Sequence, residues 1–236
     1  MEKQTYFDDL GLSDYKKVWE QQESLFNELI HIKTMNFDLP QCEQLNEFQH
    51  LIFCEHPHVY TLGKSGDEQN LLLNQLELQD KEAQFIKTNR GGDITYHGPG
   101  QLVGYPIFDL EMLQLSVKEY IYGLENAIIN TIAEYGIKGK FVDGAIGIWL
   151  DATDELPERK ICAIGVKVSR KVSMHGFALN VNTNLDYYNY INPCGILDKG
   201  VTSLQKELGR EVPMEEIKTK VKQNLQDVFG LEFKGL

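Results

Sequence analysis

Short β-rich segments follow one another through the middle of this chain with little between them. "FQHLIFCEH", "HVYTLGK", "QFIKTN", "QLVGYPIFDL", "GAIGIWLDA", "KICAIGVKVS" and "VSMHGFALNVN" are each bounded by Gly, Asn or charged turns. Several are too close together in sequence for a crossover helix, which implies antiparallel pairing. Three helical segments frame and interrupt them. "SDYKKVWEQQESLFNELIHIK" is expected to start at a Ser13 cap, with Val18, Leu25, Leu29 and Ile32 at helical spacing. "SVKEYIYGLENAIINTIAEYG" carries a capping box at Ser116 and Glu119 and stops at Gly136. "PMEEIKTKVKQNLQDVFG" has Pro213 in its first turn, Gly230 at its end, and Ile217, Val221, Leu225 and Val228 on one face. The expected fold class is α+β, a mostly antiparallel β-sheet flanked by helices.

The 236 residues show no repeat, low-complexity stretch or linker, so residues 1–236 read as a single domain large enough to bury a core without staples. No apolar run approaches a membrane span, and the first residues lack the apolar core of a secretory signal, so the expected location is the cytoplasm. In that compartment Cys42, Cys54, Cys162 and Cys194 are thiols. The formal net charge of −12 speaks against a nucleic-acid binder or an anionic-membrane binder. Basic residues gather in one place: from Glu158 to Lys171 there are Arg159, Lys160, Lys167, Arg170 and Lys171 with one acid. This is either a solvated charged strand and turn or a docking patch for an acidic partner.

Nucleotide motifs fail. "LGKSG" at 62–66 resembles the end of a phosphate-binding loop, but His58 stands where the first glycine is needed. "GPGQLVG" at 98–104 has the wrong glycine spacing for a dinucleotide site and a strand follows it. His56 and His58 flank a proline with no further ligand at a usual spacing, so they read as a polar turn and no metal is expected.

The stretch "TNRGGDITYHGPG" is the densest unusual one: Gly91, Gly92, Gly98 and Gly100 surround Arg90, Asp93, Tyr96 and His97. Such glycines let main chain approach a ligand closely, or they form two tight turns in a sheet. In "KICAIGVKV", alternation puts Lys160 on the apolar face of Cys162, Ile164, Val166 and Val168. There it could exchange a proton with a thiol; equally it could lie just before the strand and reach water. The same count turns His175 inward with Phe177, Leu179 and Val181. Cys194 lies between Pro193 and Gly195, on a turn that fixes it in place. A thiolate held so could accept an acyl group, and passing it from thioester to amide needs no ATP. Cys42, Cys54 and Cys162 read as buried small residues.

Together "EHPHVYTLGKSG", "RGGDITYHGPGQLVGYPIFDL", "KICAIGVKVSRKVSMHGFALNVNTNL" and "INPCGI", followed by "VTSL", resemble the lipoyl(octanoyl) transferase family in content and order. The resemblance implies a fold similar to the catalytic domain of biotin and lipoate protein ligases. It implies an acyltransferase that needs no cofactor. The octanoyl group would come from octanoyl-acyl carrier protein and pass to a lysine of lipoyl domains in 2-oxoacid dehydrogenases or the glycine cleavage H protein. By the same resemblance Cys194 is the acyl-thioester nucleophile and Lys160 lowers its pKa. Arg90, Gly91, Gly92, Asp93, Ile94, Thr95, Tyr96 and His97 form the acyl-binding loop. Ala163, Ile164 and Gly165, with His175, Gly176, Phe177 and Ala178, complete the substrate contacts. The chain departs from the family pattern at His58 and Ile146, where proline is expected. An ATP-dependent lipoate ligase on the same fold, or a non-catalytic binder of acyl carriers, are the alternatives.

Overall fold

The computed structural model describes residues 4–40, 42–192 and 199–235. A strand, β1 (Gln4–Leu12), leads into the long helix α1 (Tyr15–Phe37). Ser13 was the expected cap, but Asp14 takes that role. Its carboxylate accepts from the N–H groups of Lys16 and Lys17, while the Ser13 hydroxyl turns back to donate to the Leu10 carbonyl. Strands β2 (Phe48–Glu55) and β3 (Val59–Leu62), a short helix α2 (Gln75–Asp80), and strands β4 (Gln84–Lys87), β5 (Ile94–His97) and β6 (Gln101–Ile107) follow. Helix α3 (Val117–Ala133) has the Ser116–Glu119 capping box in both directions. Next come β7 (Ile148–Leu150), β8 (Arg159–Ser169), β9 (Val172–Asn180), β10 (Gly200–Val201), α4 (Leu204–Leu208), α5 (Met214–Phe229) and β11 (Lys234–Gly235). Pro213 stands at the N-cap of α5, and Gly230 closes that helix in the left-handed conformation.

The main sheet runs β10-β8-β9-β6-β2-β1-β11, with β7 also on β8. Its centre is antiparallel, as the strand succession predicts: β2 with β6, β6 with β9, β9 with β8 and β8 with β7. Its margins are parallel: β1 lies along β2 and β11, and β10 along β8. A second sheet, β4-β3-β5, stands beside it. Leu51 and Phe53 of β2, Leu102 of β6, and Phe177 and Leu179 of β9 pack against Leu124 and Ile128 of α3 and Val221 and Leu225 of α5. The alternate residues Ile52, Cys54, Val103, Ile107 and Ala178 pack against Val18, Phe26 and Leu29 of α1. Period-2 side chains that are apolar on both faces explain why these strands read as nearly continuous hydrophobic runs. Among the described residues, no helix is long and apolar enough to cross a membrane.

Two strands break the alternation assumed from sequence. β8 shifts register against β7 between Ile148 and Trp149, so Ile161 and Cys162 are both fully buried. In β9, His175 has a φ of 59°. Its backbone N–H donates to Gln22 of α1 and its ring lies 6.2 Å from that of Trp19, away from the α3/α5 core that holds Phe177, Leu179 and Val181.

Candidate active site

A cavity of about 620 Å³ opens where the second sheet meets the end of the main one. That size suits a small-molecule or acyl-chain site. Its walls include Val103, Ile121, Ile146, Val166 and Val168, so it is largely apolar. From the sequence-derived set, Arg90 through Thr95, His97, Lys160, Ala163, Ile164, Gly165, His175, Gly176, Phe177 and Ala178 all stand on its wall. Cys194 lies outside the described residues.

Tyr96 is the exception. It is fully buried and its hydroxyl bonds His58 Nδ1 at 2.7 Å, in an aromatic stack with Tyr187 5.0 Å away. The reason is β5 itself: alternation sends Tyr96 into the cluster of the second sheet and its neighbours Thr95 and His97 the other way. His58 stacks on Tyr187 at 4.1 Å, whereas His56 bonds the Ser13 carbonyl and Tyr105 hydroxyl at 2.7 and 2.8 Å. The two histidines of the polar turn thus serve separate networks.

The glycine-rich loop between β4 and β5 is held from three directions. Arg90 points into it. Its guanidinium donates to the carbonyls of Thr61 (2.6 Å), Gly91 (2.9 Å) and Asp93 (2.7 Å) and to the Thr61 hydroxyl. The "LGKSG" segment supplies the second hold: the N–H groups of Gly63, Lys64 and Ser65 donate to the carbonyls of Asp93, Arg90 and Gly92. Those donors are the ones a phosphate loop would offer to a nucleotide; here they bind protein. The third is Gly91, whose N–H donates to the Val166 carbonyl of β8 at 2.9 Å. A Cβ at Gly63 would overlap the Gly92 carbonyl, so the two loops pack as they do only with glycine there.

Both histidines on the wall are neutral. His97 is buried; desolvation, then the charges of His56 and Arg90, hold it well below the usual histidine range. Its Nδ1 bonds Gln101 at 2.8 Å and its Nε2 faces the Thr61 hydroxyl at 3.4 Å. Burial also brings His175 down to about 3, with Arg90 and Lys167 adding to the shift. Its Nε2 donates to Asn89 Oδ1 at 2.7 Å, which leaves Nδ1 as the unprotonated nitrogen, buried with no hydrogen-bond partner among the described residues.

Lys160 meets neither of the two sequence alternatives in full. It is half-buried on the cavity wall, and its ammonium donates to the Ile146 carbonyl at 3.2 Å and lies 4.6 Å over the Trp149 ring. A second ammonium, Lys199, lies 4.7 Å over the same ring. Trp149 and Lys199 were missed by sequence reasoning because they converge only where β7 and β10 both pair with the start of β8. Tyr15 of α1, Tyr105 of β6 and Val117 and Ile121 of α3 line the cavity without any signal in their spacing. Among the other cysteines, burial pushes the Cys54 and Cys162 thiols up and keeps them protonated. Cys42 is exposed, against the expectation of a buried residue.

Residues 14–226 match the model of the lipoyl protein ligase A/B catalytic domain. The chain belongs to that family. An octanoyltransferase from Cytophaga hutchinsonii is 49% identical over 233 residues, covering 99% of this chain and 96% of the relative. The lipoyl protein ligase fold is also seen in a bipartite lipoate protein ligase from Thermoplasma acidophilum. That structure is similar with a TM-score of 0.72 at 12% identity, over 100% of this chain and 87% of the other. A biotin protein ligase from Aquifex aeolicus is similar with a TM-score of 0.51 at 12% identity, over 97% and 71%. The fold expected from the resemblance is the fold observed.

Proposed function

We propose that this acyltransferase moves an octanoyl group from octanoyl-acyl carrier protein to a lysine of a lipoyl domain, in the cytoplasm, through a thioester on Cys194. Octanoyl transfer is the activity carried in the names of its full-length relatives. The observation that supports this route is the apolar cavity itself, with the ammonium of Lys160 on its wall and the glycine-rich loop along its side.

In this reading Cys194 and Lys160 form a thiolate–ammonium pair, with the thiol's proton resting on Lys160. The thiolate attacks the octanoyl carbonyl, the pantetheine C–S bond breaks, and the departing thiolate recovers the proton from Lys160. The octanoyl chain rests among Val103, Ile164, Val166 and Phe177. The lipoyl-domain amine then attacks, Cys194 leaves as thiolate, and the amine's proton returns to it. Of the two histidines on the wall, His175 fits the carrier of that proton, because its Nδ1 has no hydrogen-bond partner among the described residues while both nitrogens of His97 have partners.

Docking of an acidic carrier rests on fewer cations than the sequence offers. Arg159 is committed to a forked pair with Glu207 at 2.6 and 2.7 Å, and Lys160 belongs to the cavity. Lys167, inside β8, lies 4.7 Å over the Phe26 ring, which leaves the exposed Arg170 and Lys171 at the tip of the β8–β9 hairpin.

Intact-mass measurement after mixing with octanoyl-acyl carrier protein, without ATP, tests the covalent step. One octanoyl increment on the wild type and none on Cys194→Ala is expected. An unmodified wild type would point to a binding protein. Activity of Cys194→Ala with ATP and lipoate would point to a ligase.

A further inference from the structure

One peptide unit in the cavity wall is held at its two ends by opposite charges. The Ile146 carbonyl accepts from Lys160 Nζ at 3.2 Å, and the N–H of the same unit, on Gly147, donates to Glu125 Oε1 at 3.0 Å. The peptide dipole therefore points its negative end at the ammonium and its positive end at the carboxylate, the favourable sense for both. Gly147 has a φ of 119°, and a Cβ there would stand 2.5 Å from the Cys162 carbonyl oxygen and 3.5 Å from Lys160 Cε. Only glycine lets the peptide occupy this slot.

Glu125 lies in α3 beside Leu124 and Ala127 and is 5% exposed. A carboxylate on the buried side of a helix is costly unless it is hydrogen-bonded or paired, and here the Gly147 N–H supplies that bond. Burial raises its pKa, while the Gly147 N–H and the charge of Lys160 act against that rise. Among the described residues, the other titratable groups near this unit are the Cys162 thiol, kept protonated by burial, Lys199, paired with Glu158, and Lys118, Tyr122 and Asp143, which line a neighbouring cavity with Glu125 and Ile146.

We propose that Glu125 is a positioning residue for Lys160, acting through the Ile146–Gly147 peptide. The carboxylate orients the peptide, the peptide carbonyl fixes the Lys160 ammonium on the cavity wall, and its negative charge favours the protonated amine. This deepens, and rests on, the reading of Lys160 as the proton carrier for Cys194.

The test uses Glu125→Gln, which keeps the side-chain size and an acceptor, and Glu125→Ala, which removes both acceptor and charge. Two readouts are taken on the full chain: kcat and donor KM for octanoyl transfer, and the pH profile of Lys160 acetylation by trace acetic anhydride, followed by peptide mass spectrometry. Glu125→Gln is expected to lower kcat about tenfold with donor KM within about twofold. Its Lys160 labelling profile moves to lower pH, because the nearby anion is gone. Glu125→Ala shows the larger loss. Wild-type labelling and kcat in both variants would overturn the proposal, as would altered labelling spread over all lysines, the sign of general destabilisation. Lys160→Met separates the two readings. Full activity in that variant removes the proton-carrier role, while a labelling shift in Glu125→Gln still reports the coupling.

Discussion

Arg90 illustrates how a side chain can shape a cavity through the main chain it holds. Its fork is spent on the carbonyls of Thr61, Gly91 and Asp93, so what it presents to the cavity is a shaped main chain. Lysine has one nitrogen where arginine has three, and cannot reach both Thr61 and Asp93. Arg90→Lys is therefore expected to lose about 3 kcal/mol of unfolding free energy, at 1.5–3 kcal/mol for each charge-assisted bond lost. Urea denaturation measures the loss, and a raised KM for the octanoyl donor should accompany it. Unchanged stability would show that these bonds are replaceable. The sequence marked this loop through its glycines, and its placement on the cavity wall follows from contacts no local pattern encodes: the N–H groups of Gly63, Lys64 and Ser65. Tyr96 was misplaced for a legible reason. Treating Ile94 to His97 as loop hid the period of two that separates Tyr96 from Thr95 and His97.

Among elements, those that close on themselves were the readable ones. The start of α3 is written in Ser116 and Glu119, and the end of α5 in Gly230, because capping uses residues within one turn. Strand β1 was unreadable, since its partners β2 and β11 come from a distant stretch and from the far end of the chain. The β8–β9 hairpin belongs to both kinds. Its two-residue turn has φ of 49° at Arg170 and 64° at Lys171, the left-handed pair of a type I′ turn, where Asn and Gly are the usual occupants. Replacing them as Arg170→Asn and Lys171→Gly should stabilise the protein by about 1 kcal/mol, seen as a rise in Tm. If the tip docks an acidic carrier, the same change raises donor KM at low salt and has little effect at high salt. A donor KM insensitive to both changes would remove the hairpin from docking.

At the scale of the whole molecule, burial of neutral imidazoles sets the acid limit. His56 is held down to about 4 and His175 to about 3, and His97 is lowered as well, in each case chiefly by desolvation. In the unfolded chain all three take up protons near pH 6.5, so the unfolded state binds more protons below that pH. Stability is thus full above pH 6.5 and falls as pH drops toward 4, at about 1.4 kcal/mol per pH unit for each histidine within its window. Urea midpoints at pH 7 and pH 5 measure this, and His175→Gln should flatten the slope. A slope equal to wild type would mean that His175 takes up its proton in the folded state. The two tryptophans lend the fold an optical use. Trp149 carries the Lys160 and Lys199 ammoniums over its ring, while Trp19 lies beside His175. With Trp19→Phe the indole of Trp149 becomes the single emitter, and filling the cavity next to it changes the charge over that ring. The steady-state emission of the protein should then read out acyl loading in real time, without any attached dye.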